Sequence, residues 1–365
     1  MKSKSLIILS VIFLSVFILS PSALGVHEPE AEVVIQLGHV DPPNEFESSD
    51  QSFAVVFEDL VEAMSGGRIE VELYPADGLG SEREAMELAQ MGAVESYLAT
   101  DGGLGRFFPL IGIKDIPFSI TDFEVAYEVY DGPFGKELSA KIEEETGLKL
   151  LAVVEQGGFF HLSNNVRPIR TPEDMEGITF RSMAIDSHIN FFESLGAGAT
   201  VIDWAEVYTS LETGVADGQH NPINPFRNAA FYEVQDYLTV TNHLYSTHWY
   251  MVNANWFDGL AEEDQEIIRK AARMANRASR GLNRILEASE DFGFSYLEEQ
   301  GVEIYYPTQE ELDAFADVTV PAALEFIEDE YGDEGLYWAE KYLEAVEEAE
   351  EKVEDRKEEK GSFWR

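Results

Sequence analysis

The sequence predicts an α/β protein of two domains, on three observations. Its 365 residues exceed what a single ordinary core fills. Short apolar runs alternate with stretches of helical periodicity. A composition of 45% hydrophobic and 12% aromatic residues with 28 glycines describes a packed globular chain, free of low complexity.

Residues 33–37 (Val-Val-Ile-Gln-Leu) read as a buried strand, followed by Gly38-His39 and an Asp-Pro-Pro loop. Across 50–64 the apolar positions Phe53, Val56, Phe57, Leu60 and Met64 recur at helical spacing, and Ser65-Gly66-Gly67 stops them. Arg68 to Tyr74 alternates as a strand, and Leu79-Gly80-Ser81-Glu82 caps a helix over 82–91 that ends at Gly92. This order argues for a largely parallel sheet with helices on its faces. A second unit opens with the strand Lys149-Leu-Leu-Ala-Val-Val. Thr171-Pro172-Glu173-Asp174 then starts a short helical turn, with Pro172 at the favoured first position, and Gly177 ends it. Ile178 to Met183 is a strand carrying Arg181, and Asp203 or Trp204 starts a helix over 205–213. A long helix spans 261–290, with Ile267, Ala271, Met274, Ala278, Leu282 and Ile285 as its apolar stripe. The last stretch, 336–365, mixes Glu with Lys and Arg around Trp338 and Tyr342 and is expected to be an exposed, charged helix.

The N-terminus has a different character. Lys2 and Lys4 precede an apolar run from Leu6 to Leu19, then Pro21 and Ser22-Ala23-Leu24-Gly25. A positive start, a short apolar core and a small-residue end read as a secretory signal over 1–25, with an uncleaved membrane anchor as the alternative. The apolar run is short for a span of about 20 residues. With 0 cysteines, lipid attachment through Cys, disulfides, thiol catalysis and thiolate metal sites are all excluded.

Against 70 Asp+Glu stand 25 Lys+Arg, a net of -45. Loss of Lys2 and Lys4 with an acid-free 1–25 takes it to -47. Nucleic acid and anionic membrane surfaces are poor partners for such a chain. The acids are dispersed, as at Glu262-Glu263-Asp264 and Glu347-Glu348, a pattern that suggests a high-salt habitat in which screening weakens self-repulsion. His39, His220 and His243 lack metal-ligand spacing, so no metal is expected. Gly102-Gly103 and Gly157-Gly158 are isolated pairs without a nucleotide-loop pattern, and no cofactor is expected. A carboxylate pair could serve glycoside hydrolysis, but nothing marks one, and no Gly-x-Ser-x-Gly is present.

Three blocks then carry a resemblance. They are Asn164-Asn-Val-Arg-Pro-Ile-Arg-Thr-Pro-Glu-Asp-Met-Glu-Gly177, Ile178-Thr-Phe-Arg181, and Glu206-Val-Tyr-Thr-Ser-Leu-Glu-Thr-Gly-Val-Ala-Asp-Gly-Gln-His-Asn-Pro222. Leu73-Tyr-Pro75, Leu79-Gly-Ser-Glu82, Pro117-Phe118 and Thr241-Asn-His243 extend it over 33–330. In order and spacing the chain resembles the DctP family of TRAP-type (tripartite, ATP-independent) solute receptors. That resemblance implies a two-lobed, periplasmic-binding-protein-like α/β fold with hinge strands and a long lobe-spanning helix. Lobe I would hold 33–157 and 247–286, and lobe II 158–246 and 287–335. It implies an exported, monomeric, non-enzymatic receptor that binds a small organic acid and delivers it to membrane permease subunits. Presentation of the closed form to a membrane sensor is the alternative.

The same resemblance assigns Arg181 to the ligand carboxylate, Asn221 as a second hydrogen-bonding group, Trp204 as an aromatic wall, and Glu82 and Thr100 as polar contacts from the first lobe. Where similar sialic-acid receptors have a second arginine this chain has His161, which argues against sialic acid. One positive anchor favours a monocarboxylate such as a sugar acid or hydroxy acid, ahead of a C4-dicarboxylate or an ectoine-type zwitterion. Each residue also has a plainer reading. A strand-end guanidinium matches a carboxylate in two parallel hydrogen bonds, but in so acidic a chain it could equally hold a structural Asp or Glu. Asn221 precedes Pro222 and could serve turn chemistry. Trp204 could be core, and His161 either a neutral hydrogen-bonder or a core histidine.

Overall fold

The computed structural model describes residues 31–363, with side chains through 359; the expected signal over 1–25 lies outside them. Among the described residues no helix is long and apolar enough to cross a membrane.

Two sheets organise the chain. The first has the order β2-β1-β3-β10-β4, from β1 (Val33–Gly38), β2 (Ile69–Tyr74), β3 (Ser96–Thr100), β4 (Leu148–Phe159) and β10 (Tyr245–Asn253). The second has the order β11-β9-β5-β8-β6-β7, from β5 (His161–Asn164), β6 (Thr179–Ser182), β7 (Gly198–Val201), β8 (Gly218–Asn221), β9 (Tyr237–Thr239) and β11 (Glu303–Tyr305). β1 pairs in parallel with β2 and β3, as strand–helix–strand order requires. β10 runs antiparallel to both β3 and β4, so the expected largely parallel sheet is mixed. The reason is topological: β10 follows β9 of the second sheet and enters the first from the opposite direction. β4 leads through Phe160 into β5, so two extended segments connect the sheets.

Local signals set the helix ends. Ser48 caps Ser49–Ser65 by accepting from the Gln51 amide, and Gly66 ends it with φ 67°. Ser81 and Glu84 form a capping box at Glu82–Met91. Phe53, Phe57 and Val61 pack under the first sheet with Ile268, Ala271 and Ala275 of the helix Glu262–Glu287. That helix corrects the expected stripe: Met274 and Ile285 are exposed, and the buried line runs through Ile268, Ala272, Asn276, Ser279 and Asn283. Half of it is polar because it bonds the protein interior. Asn276 donates to Val153 O, Ser279 to Ser49 O, and Asn283 to Glu155 O.

The C-terminal helix is a second correction. Gln309–Phe363 bends at Gly332 (φ 59°, ψ -146°), and its distal half is not an exposed tail. Trp338, Ala339, Tyr342, Val346, Ala349 and Val353 are buried in the core over the first sheet's other face. Trp338 and Tyr342 meet Phe134, and Tyr342 shares a hydrogen bond with Ser119 at 2.9 Å. The Glu and Lys positions that dominate the composition lie on the opposite side of the helix.

Candidate ligand-binding site

A cavity opens where the parallel strands of both sheets end, the usual place for a site in α/β sheets. Val40 and Asp41 follow β1, Thr100 ends β3, Met183 and Ala184 follow β6, and Ile202 to Trp204 follow β7. Asn221 closes β8, and Thr247 and His248 come from β10. The two walls touch at Gly102, where a Cβ would stand 2.7 Å from Cβ of Met183, so only glycine fits.

Five of the six expected residues line this cavity: Arg181, Asn221, Trp204, Glu82 and Thr100. Arg181 is 3% exposed. Its Nε donates to Ile202 O at 2.9 Å, and its guanidinium lies 5.8 Å from the Trp204 ring. Among the described residues no carboxylate lies within 4 Å of it, so the structural ion pair that an acidic chain invites is not formed. Burial drives its pKa down to about 10, against a small opposing pull from Asp203 and Glu82. Asn221 donates to Gln219 Oε1. Glu82 accepts from the Thr100 amide at 2.7 Å and hydroxyl at 3.0 Å. Its pKa is raised by burial, though these hydrogen bonds pull it back.

His161 is the exception. It sits on β5 opposite Asn221, but it is not among the lining residues; its ring packs 5.5 Å from Phe294 and its Nδ1 has no partner. Burial depresses its pKa to about 3, so it is a neutral core histidine.

Charged groups absent from the expected set also reach the cavity. His248 Nδ1 lies 2.8 Å from Asp50; burial alone would lower its pKa, but the Asp50 charge lifts it to about 9. Asp41 is pushed up to about 7 by burial and by Asp50, and Ser48 donates to it. Arg106 pairs with Asp203 at 3.0 Å. Asp101 accepts from Thr247, from the Trp249 indole and from Lys114. Lys114 is fully interior between Asp101 (3.0 Å) and Asp115 (2.5 Å). Burial would discharge it, yet the two carboxylates raise its pKa above the ordinary lysine value. Asp101, Asp115 and His188 converge closely enough to suggest a metal cluster, but the ammonium already fills the position between the acids. Asp41, in the loop directly after a buried strand, was findable from sequence. His248, one of nine consecutive buried strand residues, carried no signal.

The chain as a whole is similar to known proteins. The model of the DctP family, bacterial extracellular solute-binding protein, family 7, matches residues 37–329, and the chain belongs to this family. A C4-dicarboxylate-binding periplasmic protein of Rhodobacter capsulatus is 30% identical over 318 residues, 84% of this chain and 90% of its own. A 2,3-diketo-L-gulonate-binding periplasmic protein of Escherichia coli is 32% identical over 226 residues, 62% of this chain and 68% of its own. The solved sugar acid binding protein of Advenella mimigardefordensis, in complex with galactonate, matches with a TM-score of 0.78 at 29% identity, covering 87% of this chain and 98% of that one. The family consists of extracytoplasmic substrate-binding receptors of TRAP transporters.

Proposed function

We propose that this chain is exported, captures an organic monocarboxylate in the cavity and hands it unchanged to a membrane permease. One observation carries the reading: Arg181 is buried, charged and, among the described residues, without a carboxylate partner. A carboxylate entering the cavity supplies the missing counter-charge as a bidentate pair. Asn221 and Trp204 stand beside it, and Glu82 and Thr100 face it from the other wall. The acids Asp41, Glu82 and Asp101 accept hydroxyl donors and repel a second carboxylate, which favours a sugar acid or hydroxy acid over a C4-dicarboxylate. The relatives bind acids of both kinds, diketogulonate and galactonate on one side, C4-dicarboxylates on the other. The same acids favour a second reading, an ectoine-type zwitterion whose cation they would receive. Capture closes lobe I (33–157, 247–286) on lobe II (158–246, 287–335) about the two connecting segments.

A thermal-shift screen of aldonates, hydroxy acids, succinate and ectoine tests this, because a ligand bound only by the folded form raises the melting temperature. Recovery of the ligand unchanged after incubation separates a receptor from an enzyme. A shift with succinate alone, or chemical turnover, would overturn the proposal.

A further inference from the structure

We propose that the outer face of the helix Glu262–Glu287 rests on an anionic lipid surface. From Ile267 to Leu286 the helix holds Arg269, Lys270, Arg273, Arg277, Arg280 and Arg284 and no acid, in a chain where acids outnumber cations 70 to 25. Arg280 and Arg284 turn inward to Asp131 and Glu155, and Arg269 lies over the Phe257 ring. Lys270, Arg273 and Arg277 are exposed and, among the described residues, form no ion pair. On the same face Met274 is 42% and Ile285 68% exposed. These two belong to the apolar stripe visible in the sequence, and the fold leaves both facing water while Ala271 of the same stripe is buried. Cations interleaved with outward apolar side chains on one straight helix are what a helix lying in a headgroup layer presents. Lys136 adds a further positive charge beside Arg273 and Arg277. Of the acids beside this face, Asp131 is paired with Arg280, Glu128 with Arg356 and Glu263 with Arg68, while the exposed Glu266 marks where the cationic patch ends before Lys270.

The patch has to act against the net charge of the whole chain, and ionic strength separates the two. In 0.01 M salt the Debye length of about 30 Å lets the whole negative molecule repel the surface; at 0.15 M, about 8 Å, only the patch is felt; at 1 M, about 3 Å, neither is. Binding should therefore peak at intermediate salt, with each cation worth roughly a fivefold change in partitioning. This inference does not depend on what the cavity holds.

The test is flotation of the exported protein with phosphatidylcholine vesicles, with and without phosphatidylglycerol, across that salt range. The expected result is binding that requires phosphatidylglycerol, is greatest near 0.15 M salt, and falls at least about 25-fold in R273E/R277E. The variant should keep its melting temperature and its cavity affinity, since neither position touches the cavity. No phosphatidylglycerol-dependent binding at any salt, or equal binding by the variant, overturns the proposal. Loss of permease-dependent uptake in the variant without vesicle binding by wild type would also overturn it, in favour of an acidic protein surface.

Discussion

Replacing Arg181 with methionine, which keeps the length and removes the charge, separates a ligand anchor from a structural residue. Burial lowers the arginine pKa from 12.5 to about 10. At about 1.4 kcal/mol per unit, the empty site disfavours the charge by on the order of 3 kcal/mol. A bound carboxylate removes that penalty. Conversely, a ligand carboxylate desolvated without its partner costs roughly 3–5 kcal/mol, which is a hundredfold to a few thousandfold in affinity. Isothermal titration of Arg181→Met with the acid found by screening should show that loss. Arg181→Lys should fall between the two, since it keeps charge but loses the planar fork. The empty methionine variant should melt no lower than wild type, and up to a few degrees higher, because it relieves an unpaired buried charge. A structural arginine would give the opposite pair of results. Near-wild-type affinity with a lowered melting temperature would refute the argument.

Other outcomes follow from the same geometry. His248 is raised from 6.5 to about 9, so the folded state holds a proton that the unfolded state releases between those values. Its contribution is full below pH 6.5 and lost as pH rises to 9, by up to about 3 kcal/mol; denaturant unfolding across that range should lose this slope in His248→Gln. The net charge of -45 predicts that melting temperature climbs steeply from 0.01 M to molar salt, and a flat profile would remove the high-salt interpretation of the composition. Small-angle scattering should show a smaller radius of gyration on saturation with a tight ligand, and no change despite proven binding would count against closure. Tyr342→Ala, which empties a buried aromatic site under Phe134, should destabilise by about 3–5 kcal/mol, whereas an exposed tail would tolerate it.

Much of this was legible in the sequence where signal and structure are local. Gly66, Ser81 and Gly92 stop and start helices through their own hydrogen bonds and torsions, so the end of Ser49–Ser65 and both ends of Glu82–Met91 could be read directly. Arg181, Asn221 and Glu82 came from motif blocks, Trp204 and Thr100 from the wider resemblance, and they converge on one cavity. The long helix misled because hydrophobicity was taken as the marker of burial, while Asn276, Ser279 and Asn283 are inside as backbone ligands. The tail misled because its many acids hide a regular apolar line. Lys114 between Asp101 and Asp115, and His248 on Asp50, depend on partners that only the fold brings together. His161 entered the expected site through the resemblance, at the place of a second arginine, and Phe294, distant in the chain, packs against its ring.

The bend at Gly332 belongs to a single C-terminal segment that serves two cores. Before the bend Phe315 joins the cluster of Phe191 and Phe192 over the second sheet; after it Trp338 and Tyr342 grip Phe134 beside the first. Ile327, also before the bend, lies in that same first-sheet core, so the segment passes from the second sheet's core to the first's and only then changes direction at Gly332. A Cβ at Gly332 would meet nothing within 4 Å, so glycine is called for there by backbone torsion and not by crowding. Its torsion angles are nearly closed to residues with side chains, at about 1–3 kcal/mol each. Alanine at 332 would therefore strain the bend without touching a single contact.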